Sequence, residues 1–247
     1  MRRRSGTELI ALVRAEMKLP KLKLPKRRTG ASISSILVST ALVPLTASAL
    51  AATRLDFDDA FNDRNEPAQL YYRATYNLYG SSDHEVQVWR DRNVNLKRRT
   101  DDAIQTYVFR SSGETEWKMS VLDLKRKIRT DVDRTSLFRI GHFTDWFSLA
   151  HSLTRPIGPY ELVALRRAAP SAAPIAACRW YLLTQRERSS KVCWSTAWHI
   201  ALLITDRDNN IQWKITEIRS SPLPADIFRI DDLGFVRNDA TEDIKAD

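Results

Sequence analysis

An uncharged run of twenty residues, ASISSILVSTALVPLTASAL at 31–50, constrains this chain more than any other feature. Ten Arg and Lys side chains precede it, from Arg2 to Arg28. A basic region, a short apolar core and small residues at a cut site are the parts of a secretory signal peptide. Ala47-Ser48-Ala49 and Ala49-Leu50-Ala51 both offer the small-x-small pattern of such a site. The alternative is an uncleaved N-terminal anchor, because a membrane-spanning helix also needs about 20 residues. The Ser and Thr content and Pro44 favour cleavage. The first cysteine is Cys178, so none follows the cut to carry a lipid. The expectation is a leader over 1–51, one periplasmic domain over 52–238 and an acidic tail over 239–247. Starting at Met17 shortens the basic region to an ordinary length, and Met17 is the expected true start.

The leader also explains the charge. Residues 1–29 hold ten basic and two acidic side chains, a net of +8 out of the chain's formal +9. The exported part is therefore almost neutral overall, without the electrostatic footprint of a phosphate-backbone binder. Nucleic acid is not an expected partner. About 195 residues suit one domain with a real core. Cys178 and Cys193, an even pair in an exported chain, read as a disulfide.

The patterning beyond the leader is mostly of period two. Tyr72, Ala74 and Tyr76 alternate with Arg73, Thr75 and Asn77. Val86 and Val88 oppose Gln87 and Trp89. Val94 and Leu96 alternate with polar residues. Tyr107 and Phe109 share a face, as do Trp117, Met119 and Val121. These are half-buried antiparallel strands with one wet side. Phe57 and Phe61, four apart, allow a short entry helix. From Leu137 to Leu153 the apolar spacing changes to three and four, which is helical. Asp145 is the expected N-cap of a helix over 146–153, and Pro156, Gly158 and Pro159 end the helical region. Cys178 to Leu183, Lys191 to Trp198, His199 to Thr205 and Ile211 to Ile218 complete two hairpins. The expected fold is β-rich α+β: a curved antiparallel sheet forming an incomplete half-barrel, covered by short helices at about 135–155. Tyr72, Tyr76, Val88, Phe109, Trp117 and Met119 are expected to face inward.

Motifs that carry chemistry are absent. There is no G-x-S-x-G, P-loop, G-x-G-x-x-G or H-E-x-x-H. The two Cys lack metal-ligand spacing. His84, His142, His151 and His199 are scattered, with solvated or capping roles as the default. No catalytic residue, metal or cofactor is expected. Asp123, Lys125, Arg126, Lys127, Arg129, Asp131, Asp133 and Arg134 read as a solvated edge of weak ion pairs, about 0–1 kcal/mol each. The sharper alternative joins them to Arg90, Arg92, Lys97, Arg98 and Arg99 as a basic docking rim.

Three segments together resemble a known family. EVQVWRDRNVNLKRRT is followed by a strand with YVF, then by SSGETEWKMSVLDLKRKI. The far half adds a helical insertion, the strand from Ile211 to Ile218 and the closing piece from Pro222 to Phe228. This order resembles the periplasmic lipoprotein carriers of the LolA type. The chain departs from that pattern in having Arg92-Asn93 for Arg-Pro and Ser112-Gly113 for the Asp-Gly turn. The resemblance implies a functional role for Arg92. It also implies a carrier that shelters an apolar or lipidated ligand against Tyr72, Tyr76, Val88, Arg92, Phe109, Trp117 and Met119, and that meets a membrane-associated protein partner. The alternatives are a non-enzymatic periplasmic interaction or sensing domain, and an enzyme built on the same fold.

Overall fold

A computed structural model describes residues 54–77, 83–111, 113–114, 116–132, 145–166 and 172–239. The leader, the tail beyond 239, His142 and the apolar stripe from Leu137 to Phe143 lie outside the described residues.

The alternating segments pair into one open sheet of twelve strands. The first half comprises β1 (Gln69–Asn77), β2 (Asp83–Asp91), β3 (Asn95–Thr100), β4 (Ile104–Arg110), β5 (Trp117–Asp123) and β6 (Ile128–Val132). The second half comprises β7 (Glu161–Leu165), β8 (Arg179–Gln185), β9 (Arg188–Ser195), β10 (Ile200–Asp206), β11 (Ile211–Arg219) and β12 (Val236–Asp239). The order across the sheet is β12-β6-β5-β4-β3-β2-β1-β11-β10-β9-β8-β7. β1 to β6 and β7 to β11 are each a run of antiparallel neighbours, and β1 joins β11 to unite them, while β12 adds to the β6 edge. Local pairing of this kind follows from short turns between antiparallel neighbours. Asp206 closes one such turn by accepting from the amides of Asp208 and Asn210.

Two helices are described. α1 (Phe57–Ala60) is capped by Asp56, whose side chain accepts from the amides of Asp58 and Asp59. α2 (Trp146–His151) is capped by Asp145, which accepts from the Phe147 amide as its sequence position requires. Six residues are too few to hold a helix in water alone, so tertiary contacts fix α2. Both helices join one apolar cluster with the sheet. Leu70, Tyr72, Ala74, Tyr76, Val86 and Val88 meet Phe57, Phe61, Trp146, Phe147 and Leu153 there. The Phe61 ring lies 4.9 Å from Tyr181 and 5.2 Å from Trp194, both edge-on. This is the core face of the sheet.

The opposite face is covered differently. After β11 the chain crosses it as an irregular strap, residues 220–235, with turns at 225–228 and 233–234. The Leu223 amide donates to the Gln69 side chain, and Arg129 pairs with Asp232 at 2.9 Å. Under this strap lie Tyr71 and Tyr107, both buried although neither belongs to the core cluster. Lys97 sits between the Trp89 and Tyr107 rings, 5.4 and 5.2 Å from their centroids. The strap ends in β12, which pairs parallel to β6. A parallel pair needs a long crossover, and the strap supplies it, so the sheet is mixed at this one edge rather than wholly antiparallel. Asp239, expected to open the loose tail, pairs with Asp131 as the last rung of this ladder.

Cys178 and Cys193 form a disulfide with their Cα atoms 5.4 Å apart. It ties the residue before β8 to β9, clipping that hairpin as the spacing suggests. Disulfides persist in oxidising compartments outside the cytoplasm. No helix among the described residues is long and apolar enough to cross a membrane.

Candidate functional site

The alternation that buries Val86 and Val88 continues one step further and buries Arg90. This guanidinium is 0% exposed. It pairs across the sheet with Leu70 on β1 and Leu96 on β3, so aliphatic side chains flank it on the core face. A charge in such a place needs a partner, and the loop before β1 provides one. Asn65 takes a positive φ of 63°, and the next residue is Glu66. The Glu66 Oε2 atom lies 2.9 Å from Arg90 Nη1.

The last turn of α2 completes the cluster. His151, also 0% exposed, points Nε2 at the same Glu66 oxygen, 2.8 Å away. Its Nδ1 lies 3.0 Å from the Phe147 carbonyl one turn earlier. The imidazole stacks on Phe147 with centroids 4.4 Å apart. Arg90 Nη1 also donates to the Ala150 carbonyl at 3.3 Å. Helix, sheet and loop are thus fastened at one buried point. Beside it, the hydroxyls of Tyr72 and Ser152 hydrogen-bond at 2.8 Å. Ser152 ends α2 in the left-handed region, with φ 58°.

Electrostatics follow from this burial. Burial pushes the Arg90 guanidinium below the usual arginine range, while Glu66, Tyr72 and Asp63 pull it back. Burial likewise raises the Tyr72 hydroxyl above the ordinary 10.0, opposed by Ser152, Arg98 and Arg90. A carbonyl can only accept, so His151 Nδ1 carries a proton. The Nε2–Glu66 contact needs a second proton, on the imidazole or on the carboxyl. Wherever that proton resides, histidine and glutamate together are neutral. The cluster therefore carries the net +1 of Arg90. Its Nε and Nη2 atoms are buried without a hydrogen-bond partner among the described residues.

This arrangement does not make a nucleophilic triad. Both His151 nitrogens are engaged, by Phe147 and by Glu66, and Ser152 is held by Tyr72 instead. A serine nucleophile needs a base within hydrogen-bond reach.

The residues expected from sequence divide. Tyr72, Tyr76, Val88, Trp117 and Met119 all belong to the core cluster and are nearly fully buried. Phe109 does not. It pairs with Asn95 across the sheet and stacks on Tyr107, 6.4 Å away, on the strap side. Val108 is the inward residue of β4, because Tyr107 and Phe109 share the other face. Arg92 is also not in the interior. It is exposed in the β2–β3 turn with φ 49° and lines a surface cleft of about 380 Å³ with Pro67, Gln69, Ser221 and Pro222. The strand ends at Asp91, so the inward parity stops before reaching it. The proposed basic rim is likewise divided. Arg90 and Arg98 share the core face, whereas Lys97 and Arg99 are on the other. His151 is a buried partner of Glu66 rather than a solvated histidine. Sequence reasoning set Arg90 on a surface rim and did not single out Glu66, although the parity of Val86 and Val88 already marked position 90 as inward.

No protein-family model and no curated protein matches this chain, and no evidence of a catalytic function emerges.

Proposed function

We propose that this protein is an exported, periplasmic binding or carrier protein. In this reading its open sheet coils into a half-barrel that shelters an apolar ligand such as a lipid or acyl chain, with α2 over the opening. One observation carries the proposal. The short helix that covers the core face is fastened by the buried Arg90–Glu66–His151 cluster as well as by packing. Buried ion pairs hold no better than apolar side chains of the same volume, and often worse. A polar fastening in an aromatic interior is therefore poor as a permanent rivet and well suited to a cover that lifts. The interior offers the aromatic and aliphatic lining of an apolar site, with few polar anchors. The disulfide and the basic, apolar leader support export.

The experiment is a binding assay on the full chain with a fluorescent acyl probe, followed by displacement with unlabelled lipids. Saturable binding that Val88→Trp weakens supports the carrier. Absence of binding to any acyl probe, with melting temperature unmoved by lipid, would refute it. A second reading, a non-enzymatic interaction domain, draws on the exposed Leu233 and Val236 beside the β12 edge, where a membrane-associated partner would dock.

A further inference from the structure

We infer that one end of the sheet at its β7 edge, where β7 stops, β8 starts and β9 turns into β10, docks on an anionic lipid bilayer. Arg166 and Arg179 meet lipid phosphates there, and Ile175 and Trp180 enter the headgroup region. The inference does not depend on what the core face holds, and it concerns the edge opposite β12.

Charge singles this region out. Between Leu162 and Thr205 the one acidic residue is Glu187, against five arginines and one lysine. The exported part is almost neutral as a whole, so its remainder carries a negative excess. Leu165 and Trp180 are the last pair of the β7–β8 ladder, which brings Arg166 and Arg179 next to each other beyond it. Both arginines are exposed, and neither has an ion-pair partner among the described residues. Basic side chains placed like this are attracted to an anionic lipid surface, and salt weakens the attraction.

The apolar groups at the same end suit a bilayer better than a protein. A protein interface buries a contiguous apolar centre behind a polar rim. Here the apolar side chains are dispersed among the arginines. Ile175 is 46% exposed, and Leu165 and Trp180 are half-buried beside Arg166 and Arg179. Trp198, also half-buried, lies in the β9–β10 turn at this end, since Arg179 pairs with Trp194. Tryptophan beside arginine is the chemistry of the headgroup layer, where a ring with one polar edge and a charged group on an apolar stem both fit. The Cys178–Cys193 disulfide fixes the loop that presents Ile175 to β9.

The N-terminal side of the chain arrives at the same edge. The Leu55 amide donates to the Leu162 carbonyl of β7 at 2.8 Å. The uncharged run ends at Leu50, so at most about 18 Å of chain separates it from this contact. In the export reading that run is held by a bilayer, either until it is cut or as an anchor. The β7 edge is then the part of the domain nearest the lipid.

The test uses the full chain and phosphatidylcholine vesicles made with and without phosphatidylglycerol. Co-sedimentation reads binding, and amide hydrogen exchange reads the contact surface. The chain should bind the phosphatidylglycerol vesicles, more weakly as salt rises, and exchange at 172–181 should slow on them. Arg166→Ser with Arg179→Ser should weaken binding at least about tenfold. Ile175→Ser should weaken it about threefold. Lys125→Ser with Arg126→Ser removes the same charge from the β5–β6 turn and should change binding little. The leader is common to every variant, so it does not produce these differences. All the substituted side chains are exposed, and an unchanged melting temperature confirms that the fold persists. Undiminished binding by the Arg166/Arg179 variant, or no slowing at 172–181, would overturn this docking end. Equal binding to both kinds of vesicle would overturn the anionic surface. Retention of an acidic protein that needs Arg166 and Arg179, with no vesicle binding, would overturn the membrane in favour of a protein partner.

Discussion

Arg90 and Glu66 meet at 2.9 Å inside the core, a guanidinium from β2 against a carboxylate from the loop before β1. The two ends of this pair are not equivalent. Removing Arg90 leaves Glu66 and His151 as a neutral pair. Removing Glu66 leaves a buried cation without a counter-charge, a loss of about 3–5 kcal/mol. Glu66→Leu should therefore destabilise more than Arg90→Met. Urea unfolding of the two single variants and the double variant measures this. The double variant should be more stable than the sum of the two losses predicts, and strict additivity would contradict the coupling.

The disulfide makes a separate prediction. A crosslink spanning 15 residues contributes about 3 kcal/mol by the loop-entropy model. Replacing Cys178 and Cys193 together by Ser should lower stability by an amount of that order. Thiol titration of the denatured, unreduced protein should find no free cysteine.

Tyr72 gives a pH dependence. Burial raises its hydroxyl above 10.0 in the folded state. The folded state thus binds the proton more tightly than the unfolded state does. The associated stability is complete below pH 10 and is lost as pH rises through the raised value. Tyr72→Phe should cost about 1 kcal/mol at neutral pH, by leaving the Ser152 hydroxyl unpaired. The gap between the two proteins should close in alkaline solution. A gap that is constant to the onset of alkaline unfolding would refute the assignment.

The strap has its own switch at low pH. Asp232 is hydrogen-bonded by Arg129 and Arg237, which hold its carboxyl below the ordinary 3.8. Stability from a depressed carboxylate is present above its unfolded value and lost as pH falls through the folded one. Asp232→Asn should speed amide exchange at Val236–Asp239 and leave β1 and β2 protected. Equal exchange in both proteins would show that β12 holds without this pair.

What was legible followed from alternation. Strands β1 to β5 and the two late hairpins are readable because one face is apolar and the other polar. The cap at Asp145 and the turn at Asp206 to Asn210 are readable because their chemistry is local. β6 was hidden: its inward residues Thr130 and Val132 are short, and Arg129 and Asp131 give the stretch the look of a solvated edge. β7, with only Leu162 fully buried, left little trace. Phe109 was misassigned because β4 buries large residues on both faces, Tyr107 on one and Val108 on the other, so alternation alone does not say which is inward. The Arg90–Glu66–His151 cluster draws on three separated segments, and only the fold brings them together.

The most direct test is native mass spectrometry of the protein purified from the cells that make it, followed by organic extraction. The carrier account predicts a reproducible mass increment that extraction recovers as an acyl-bearing species. Protein that arrives at its bare mass, and gains none when mixed with lipids or lipopeptides, would contradict it.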